Sequence, residues 1–261
     1  MNELGMGSAA VAGLAALFGA VFGSFLNVCI VRWPAEQSVV RPRSRCPGCG
    51  YQITWYDNIP VLSWLALGGK CRSCRRPIGA LYPLIELVTA GIWAAIAWRH
   101  GLSLETLRGG LFLTILLGIA MTDAREYLIP DEFTIGGTVL GLLFAAIGGL
   151  GPFLTGLIGA VVGFGLLWLV GFLGTWAFKE EAMGGGDIKM MAMVGAFVGW
   201  QGVLLTIFLG ALSGTLIFLP LHLAGKKKLV PFGIFLAMGA ALTYLVGPAV
   251  IDWYKSFIGV A

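Results

Sequence analysis

Three aspartates, Asp123, Asp131 and Asp187, stand at the edges of long apolar runs in the segments MTDAREYLIPDEFT and GGGDIKMM. Only 11% of the residues are charged, and an ionisable group at the margin of a bilayer is costly enough to suggest a function. Two carboxyl groups about 3 Å apart cannot both ionise cheaply, so they share one proton. Such a pair can hydrolyse an amide, one member taking a proton from water and the other polarising the carbonyl. Asp123 follows the apolar run ending Met121-Thr122, at a helix C-terminus whose dipole disfavours an anion, and Asp187 opens the run IKMMAMVGAFVGW, where the dipole favours one. The helix ends therefore put the charge on Asp187 and the proton on Asp123. Plainer uses compete. Asp187 can cap its helix, Asp131 after Pro130 reads as a cap of the next one, and Lys189 can simply reach toward headgroups. Gly184, Gly185 and Gly186 before Asp187 would let an extended backbone approach it.

Four cysteines offer a different chemistry. Cys46-Pro47-Gly48-Cys49 and Cys71-Arg72-Ser73-Cys74 are two C-x-x-C pairs separated by 21 residues, the spacing of a four-thiolate zinc site. Such a site has no open coordination position and is expected to hold a loop together. Two disulfides are the competing reading, which a reducing cytoplasm opposes. Cys29, in the run VCIV, reads as a packed side chain.

The elements that position these groups follow from hydropathy. A composition of 58% hydrophobic residues and a mean hydropathy of +0.89 exceed what a soluble chain of 261 residues can bury. Residues 133–178 and 190–225 contain no Asp, Glu, Lys or Arg, and each run is about two membrane-crossing lengths of roughly 20 residues. Breaks at GGLGP (148–152) and GWQG (199–202) divide them. The expected fold is an all-α polytopic membrane protein of about eight transmembrane helices, near residues 6–31, 78–98, 105–123, 133–148, 153–177, 188–200, 202–222 and 233–251, with a cytoplasmic four-Cys zinc loop. With both termini outside, 14 of the 17 Lys and Arg face the cytoplasm, among them Arg32, Arg41, Arg43, Arg45, Lys70, Arg125, Lys179, Lys189 and Lys226-Lys227-Lys228. That bias accounts for the net charge of +4 without a nucleic-acid partner. The first segment, flanked by Glu3 and no base, reads as an anchor and not a cleaved signal. Three regions result: a first helix (1–31), a cytoplasmic zinc-binding loop (32–77) and a transmembrane core (78–261).

Read together, the motifs resemble the type IV prepilin peptidases, membrane aspartic endopeptidases of the GxGD type. GSFLNVCIVRWP (23–34), the paired C-x-x-C loop, YPLIELVT (82–89), D-x7-D from Asp123 to Asp131 ending in IPD, GGGDIK (184–189) and VPFGIFLA (230–237) occur in the family's order. Trp33 where Leu is more usual, and Ile234 where Pro is more usual, are departures. The resemblance implies that Asp123 and Asp187 are the catalytic aspartates, with Asp131 supporting. It implies cleavage of prepilins or pseudopilins at the cytoplasmic face of the bacterial inner membrane, and substrates of pili, type II secretion and DNA uptake stay open as alternatives. The cut falls after a Gly that ends a basic leader and before an apolar helix. Members with the four-Cys loop often also methylate the new N-terminus with S-adenosylmethionine, although no glycine-rich loop for that donor is visible. Glu86, an acid inside an apolar span, has no assigned role; it can pair with an arginine, face a wet cavity or act functionally. A transporter using the carboxylates for proton or cation coupling is the alternative, opposed by the lack of an internal repeat, and a metal-ribbon scaffold would leave the aspartates unexplained.

Overall fold

With no water in a bilayer to satisfy backbone groups, apolar runs must close their hydrogen bonds internally and fold as helices. The computed structural model describes residues 8–223 and 231–259, and among them there are eight α-helices and one 3-10 turn, with no strand beyond two isolated bridges. The helices are α1 (Ser8–Arg32), α2 (Leu62–Ala66), α3 (Leu81–His100), α4 (Leu104–Glu126), α5 (Asp131–Ile147), α6 (Leu150–Phe178), α7 (Gly185–Leu223) and α8 (Phe232–Phe257). Glu3, Lys226-Lys227-Lys228 and Val230, used above for topology and motif, lie outside the described residues.

Six helices, α1, α3, α4, α6, α7 and α8, are long and apolar enough to cross a membrane, and the chain is a multi-pass membrane protein. The eight expected segments are all helical, with two qualifications. α5 has 17 residues, at the lower limit for a span. The sixth and seventh segments run on as α7, whose 39 residues would extend about 58 Å if straight, nearly twice a bilayer core. Its regular dihedrals fail at Gly199, with φ 71° and ψ 176°, inside the expected break.

The chain divides into two units, Met1–Thr114 and Ile115–Ala261. In the first, α1 lies against α3 through glycines four residues apart. A Cβ on Gly19 would come within 2.7 Å of the Thr89 carbonyl oxygen, and one on Gly23 within 2.8 Å of the Glu86 Cα, so the pair packs in the small-residue manner of membrane helices. Phe22 stacks on Trp93 at 4.9 Å, and the Trp93 indole donates to Thr114 at 3.0 Å. The Asn27 amide donates to the Tyr82 carbonyl at 3.1 Å, tying the first motif to the start of α3.

In the second unit α6 and α7 meet backbone to backbone, Gly159 against Gly195 and Gly163 against Met191. α5 reaches α7 through Gly137 at Met193 and Gly141 at Phe197. The part of α7 beyond Gly199 meets α8 at Gly239, whose added Cβ would lie 2.7 Å from the Thr206 carbonyl, and through the Thr206–Thr243 hydroxyl bond of 3.1 Å. Met190, Met191 and Met193 are fully buried, so the first turns of α7 are anchored by packing as well as by backbone bonds.

Candidate functional site

The second unit assembles the acids. Asp123 lies in the last turn of α4, which continues to Glu126, and it is buried. The expected penalty of a helix C-terminus is met from elsewhere: Asp123 Oδ2 accepts the main-chain N–H of Ile234 at 3.1 Å. Ile234 is the third residue of α8, and the first N–H groups of a helix have no partner within it, so Asp123 satisfies α8 from a distance and receives the positive end of its dipole. A proline at 234 would have no N–H to give.

Asp187 sits in the first turn of α7, two residues inside a helix that begins at Gly185. It is therefore not the N-cap. Its Oδ1 is buried without a hydrogen-bond partner among the described residues. The donor accordingly lies on Asp123, the opposite of the asymmetry that helix ends alone suggest.

The flanking glycines have separate duties. A Cβ on Gly186 would fall 2.9 Å from Ile129 Cβ, and one on Gly233 would fall 2.8 Å from both Asp123 Oδ2 and Ile129 Cδ1. Buried Ile129 thus packs against the starts of both α7 and α8. Gly185 faces open space, and a Cβ on Gly184 would make ordinary contact with Asp187 Oδ2 at 3.5 Å. Sequence reasoning missed Ile129 and Gly233, whose only signal was membership of the IPD and PFG motifs.

Asp131 is the first residue of α5, with Pro130 as the N-cap and no side-chain cap bond, so the expected cap is absent. Its carboxylate takes both bonds of the Lys189 ammonium, at 2.7 and 2.8 Å. Lys189 is thereby an ion-pair partner that ties the start of α5 to α7, and not a free chain reaching outward.

In the first unit the two C-x-x-C turns have one hydrogen-bond pattern. Cys46 N–H donates to Tyr51 O and Gly50 N–H to Cys46 O, and Cys71 N–H to Arg76 O and Arg75 N–H to Cys71 O, each bond 2.9 to 3.0 Å. Gly50 and Arg75 take equivalent left-handed conformations, φ 72° and 59°. The four sulfurs lie within 4.8 Å of one another, with Cys46–Cys74 at 3.7 Å and Cys49–Cys71 at 4.0 Å. A tetrahedron of thiolates 2.3 Å from zinc has sulfur separations of about 3.8 Å, whereas a disulfide needs about 2.05 Å. The cluster can hold a metal ion. The Gly48 and Cys49 amides hold the Cys46 thiol below its usual range, and the Tyr51 amide does the same for Cys49. Cys74 also has an amide, from Arg76, yet its sulfur neighbours, Cys49 foremost, push it up to about 11; a bound cation would reverse that. Cys29 is buried in α1, as read from its surroundings.

Next to this cluster the loop is braced by Arg72, which donates both Nε and Nη2 to Asp57 at 2.6 to 2.9 Å. That guanidinium holds the Asp57 carboxyl below its usual range and lies 5.5 Å over the Tyr56 ring. Glu86, on α3, is buried; its Oε2 accepts the Val61 N–H at 2.7 Å. Of the readings open for Glu86, no arginine pair is present among the described residues, while a cavity of about 400 Å³ does border it.

Fold and acids together define a helical membrane protein with two aspartates, Asp123 buried and Asp187 part-buried, in one unit and a metal-capable thiol cluster in the other. Residues 17–100 match the family described as bacterial peptidase A24 N-terminal domain, and residues 110–219 match the type IV leader peptidase family. The chain is 36% identical to a protein of Aeromonas hydrophila over 91% of both lengths, and 37% identical to one of Pseudomonas aeruginosa over 93% of both. It is 39% identical to one of Myxococcus xanthus over 77% of this chain, where it spans 60% of that protein. All three are named prepilin leader peptidase/N-methyltransferase. No solved structure matches. The chain belongs to the type IV leader peptidase family.

Proposed function

We propose that this chain is an aspartic endopeptidase that removes the basic leader of type IV prepilins and pseudopilins and then methylates the newly exposed amine. The observation that supports cleavage most directly is the asymmetric pair: Asp123 receives the Ile234 amide, while buried Asp187 Oδ1 has no partner. In this reading the Asp123 carboxylate takes a proton from water as the oxygen attacks the scissile carbonyl carbon, and Asp187 gives its proton to the carbonyl oxygen. The tetrahedral intermediate collapses as the C–N bond breaks. Asp123 returns its proton to the leaving amine, and the hydroxyl proton goes back to Asp187, so the pair ends as it began. The proton belongs to the pair, and the assignment is a preferred microstate.

Gly184 and Gly185, with room around them, are where an extended leader would lie beside Asp187, and Asp131 with Lys189 fixes the first turn of α7 from outside. The four cysteines would hold zinc as a structural ion, giving the loop at 32–77 its shape. S-adenosylmethionine is the methyl donor proposed; when bound it supplies an electrophilic methyl group on a sulfonium. Residues 32–77 would serve methylation and 78–261 would contain the peptidase core. The distribution of basic residues supports a bacterial inner-membrane location with both termini outside and the acids at the cytoplasmic face.

Purified chain mixed with a prepilin and followed by mass spectrometry tests this. The expected product is the shortened chain, and with donor present it gains the mass of one methyl group. Asp123→Asn and Asp187→Asn should each slow cleavage by roughly 10²–10⁴-fold. Intact cleavage in either variant would exclude the dyad, and a transporter or scaffold would leave the prepilin uncut from the outset.

A further inference from the structure

The cavity beside Glu86 is formed wholly within the first unit, from α1, the four-cysteine loop and the start of α3. Its volume of about 400 Å³ falls in the range of small-molecule sites, roughly 300–1,000 Å³. Its chemistry is mixed in a particular way. Glu86 contributes a buried carboxylate, Arg72 and Arg76 contribute guanidinium groups, Asn27 contributes an amide, and Trp64 and Tyr51 contribute aromatic faces.

Glu86 is the unusual member. It arises from the apolar helix α3, where an acid needs a reason, and it is nine-tenths buried. No ion pair to it exists among the described residues. Its position is built from outside: the amide that bonds it belongs to Val61, whose φ of 61° and ψ of −49° put a β-branched residue in left-handed backbone. Such strain persists only where surroundings enforce it, and the enforcing bonds are visible. Ser63 Oγ accepts the Ile59 N–H at 2.9 Å and donates to Tyr56 O at 2.8 Å, pinning the turn on both sides of Val61. Trp64 donates to Ile78 O at 3.1 Å, closing the loop back toward α3. A carboxylate so placed, with guanidinium groups across the same space, suits a ligand that carries positive charge at one point and a carboxylate at another.

A sulfonium amino acid linked to a nucleoside has that pattern, with a base for the aromatic faces. We propose that this cavity is the methyl-donor site and that Glu86 is the carboxylate that receives the cationic end of S-adenosylmethionine. The proposal rests on the methyltransferase reading above, and it adds the site and the anchoring residue. Arg76 is the group placed for the donor carboxylate, since Arg72 is committed to Asp57.

The test uses the full chain in lipid nanodiscs, with radiolabelled S-adenosylmethionine in equilibrium dialysis and, separately, ultraviolet cross-linking of the same label followed by peptide mapping. Saturable binding is expected, weakened about tenfold or more by Glu86→Gln, the scale of losing a charged partner, and by less in Glu86→Asp. The cross-link in the unmodified chain is expected within residues 24–86. Binding that Glu86→Gln leaves within twofold, or a label mapping beyond residue 115, overturns the site while leaving the methyl donor standing. Absence of saturable binding to the unmodified chain overturns both. Should Glu86→Gln fail to fold, the cross-link position in the unmodified chain decides alone.

Discussion

Asp123 shows how little room a single residue has around the acids. Its Oδ2 is bonded to the Ile234 amide, and the absent side chain of Gly233 leaves the space that oxygen occupies, since a Cβ there would lie 2.8 Å from it. Gly233→Ala is therefore expected to push the carboxylate off its donor and lower kcat for leader cleavage at least about tenfold, roughly one misplaced charged hydrogen bond. Gly185→Ala, where nothing lies within 4 Å, should change KM for the prepilin more than kcat. Steady-state kinetics on the two variants separates them, and equal effects would mean that the glycines share one role. The acids themselves were legible because carboxylates beside apolar runs are rare and conspicuous. The Ile234 donor was not, because a main-chain N–H has no residue signature and its partner is 111 positions away. For the same reason Asp131 read as a cap. Its partner Lys189 is 58 residues distant, and only tertiary packing brings the two charges to 2.7 Å.

At the scale of elements, the apolar runs gave up their helices readily, because length and uncharged composition suffice in a bilayer. Where the helices touch was far less legible. The glycines of α6 and α7 could as easily have been breakers as contacts, and they are both: Gly199 interrupts α7, whereas Gly195 lets its backbone meet Gly159 of α6. Contact between two backbones cannot be relieved by turning a side chain. Gly195→Ala should therefore destabilise the protein by about 3 kcal/mol, the upper part of the usual overpacking range, and thermal unfolding in detergent measures it. Gly165→Ala, on the same helix pair but facing open space, is the comparison, with an expected change near zero. A similar loss at both positions would mean that α6 and α7 are not apposed through these glycines.

For the whole molecule, the two units divide the chemistry along the chain. All four metal-capable thiols and Glu86 belong to Met1–Thr114, and Asp123 and Asp187 belong to Ile115–Ala261. Cys46 and Cys71 also line the Glu86 cavity, so an ion held by the four thiols would also shape that space. Stripping it should uncouple the two activities. In the metal-free chain the loop at 32–77 loses its cross-link, since the free energy of a four-thiolate site is folding free energy for the segment it closes. Cysteine thiolates compete with protons for the ion, so lowering the pH acts in the same direction as a chelator. Donor binding and methylation are expected to fall together, with new proteolytic cuts among Arg72, Arg75 and Arg76, while leader cleavage continues because neither aspartate depends on a thiol ligand. Metal analysis, limited proteolysis and mass spectrometry of the prepilin product, taken on one chelated sample and again after zinc is restored, decide this. Loss of cleavage in step with methylation would show that the metal supports the whole chain and not the first unit alone.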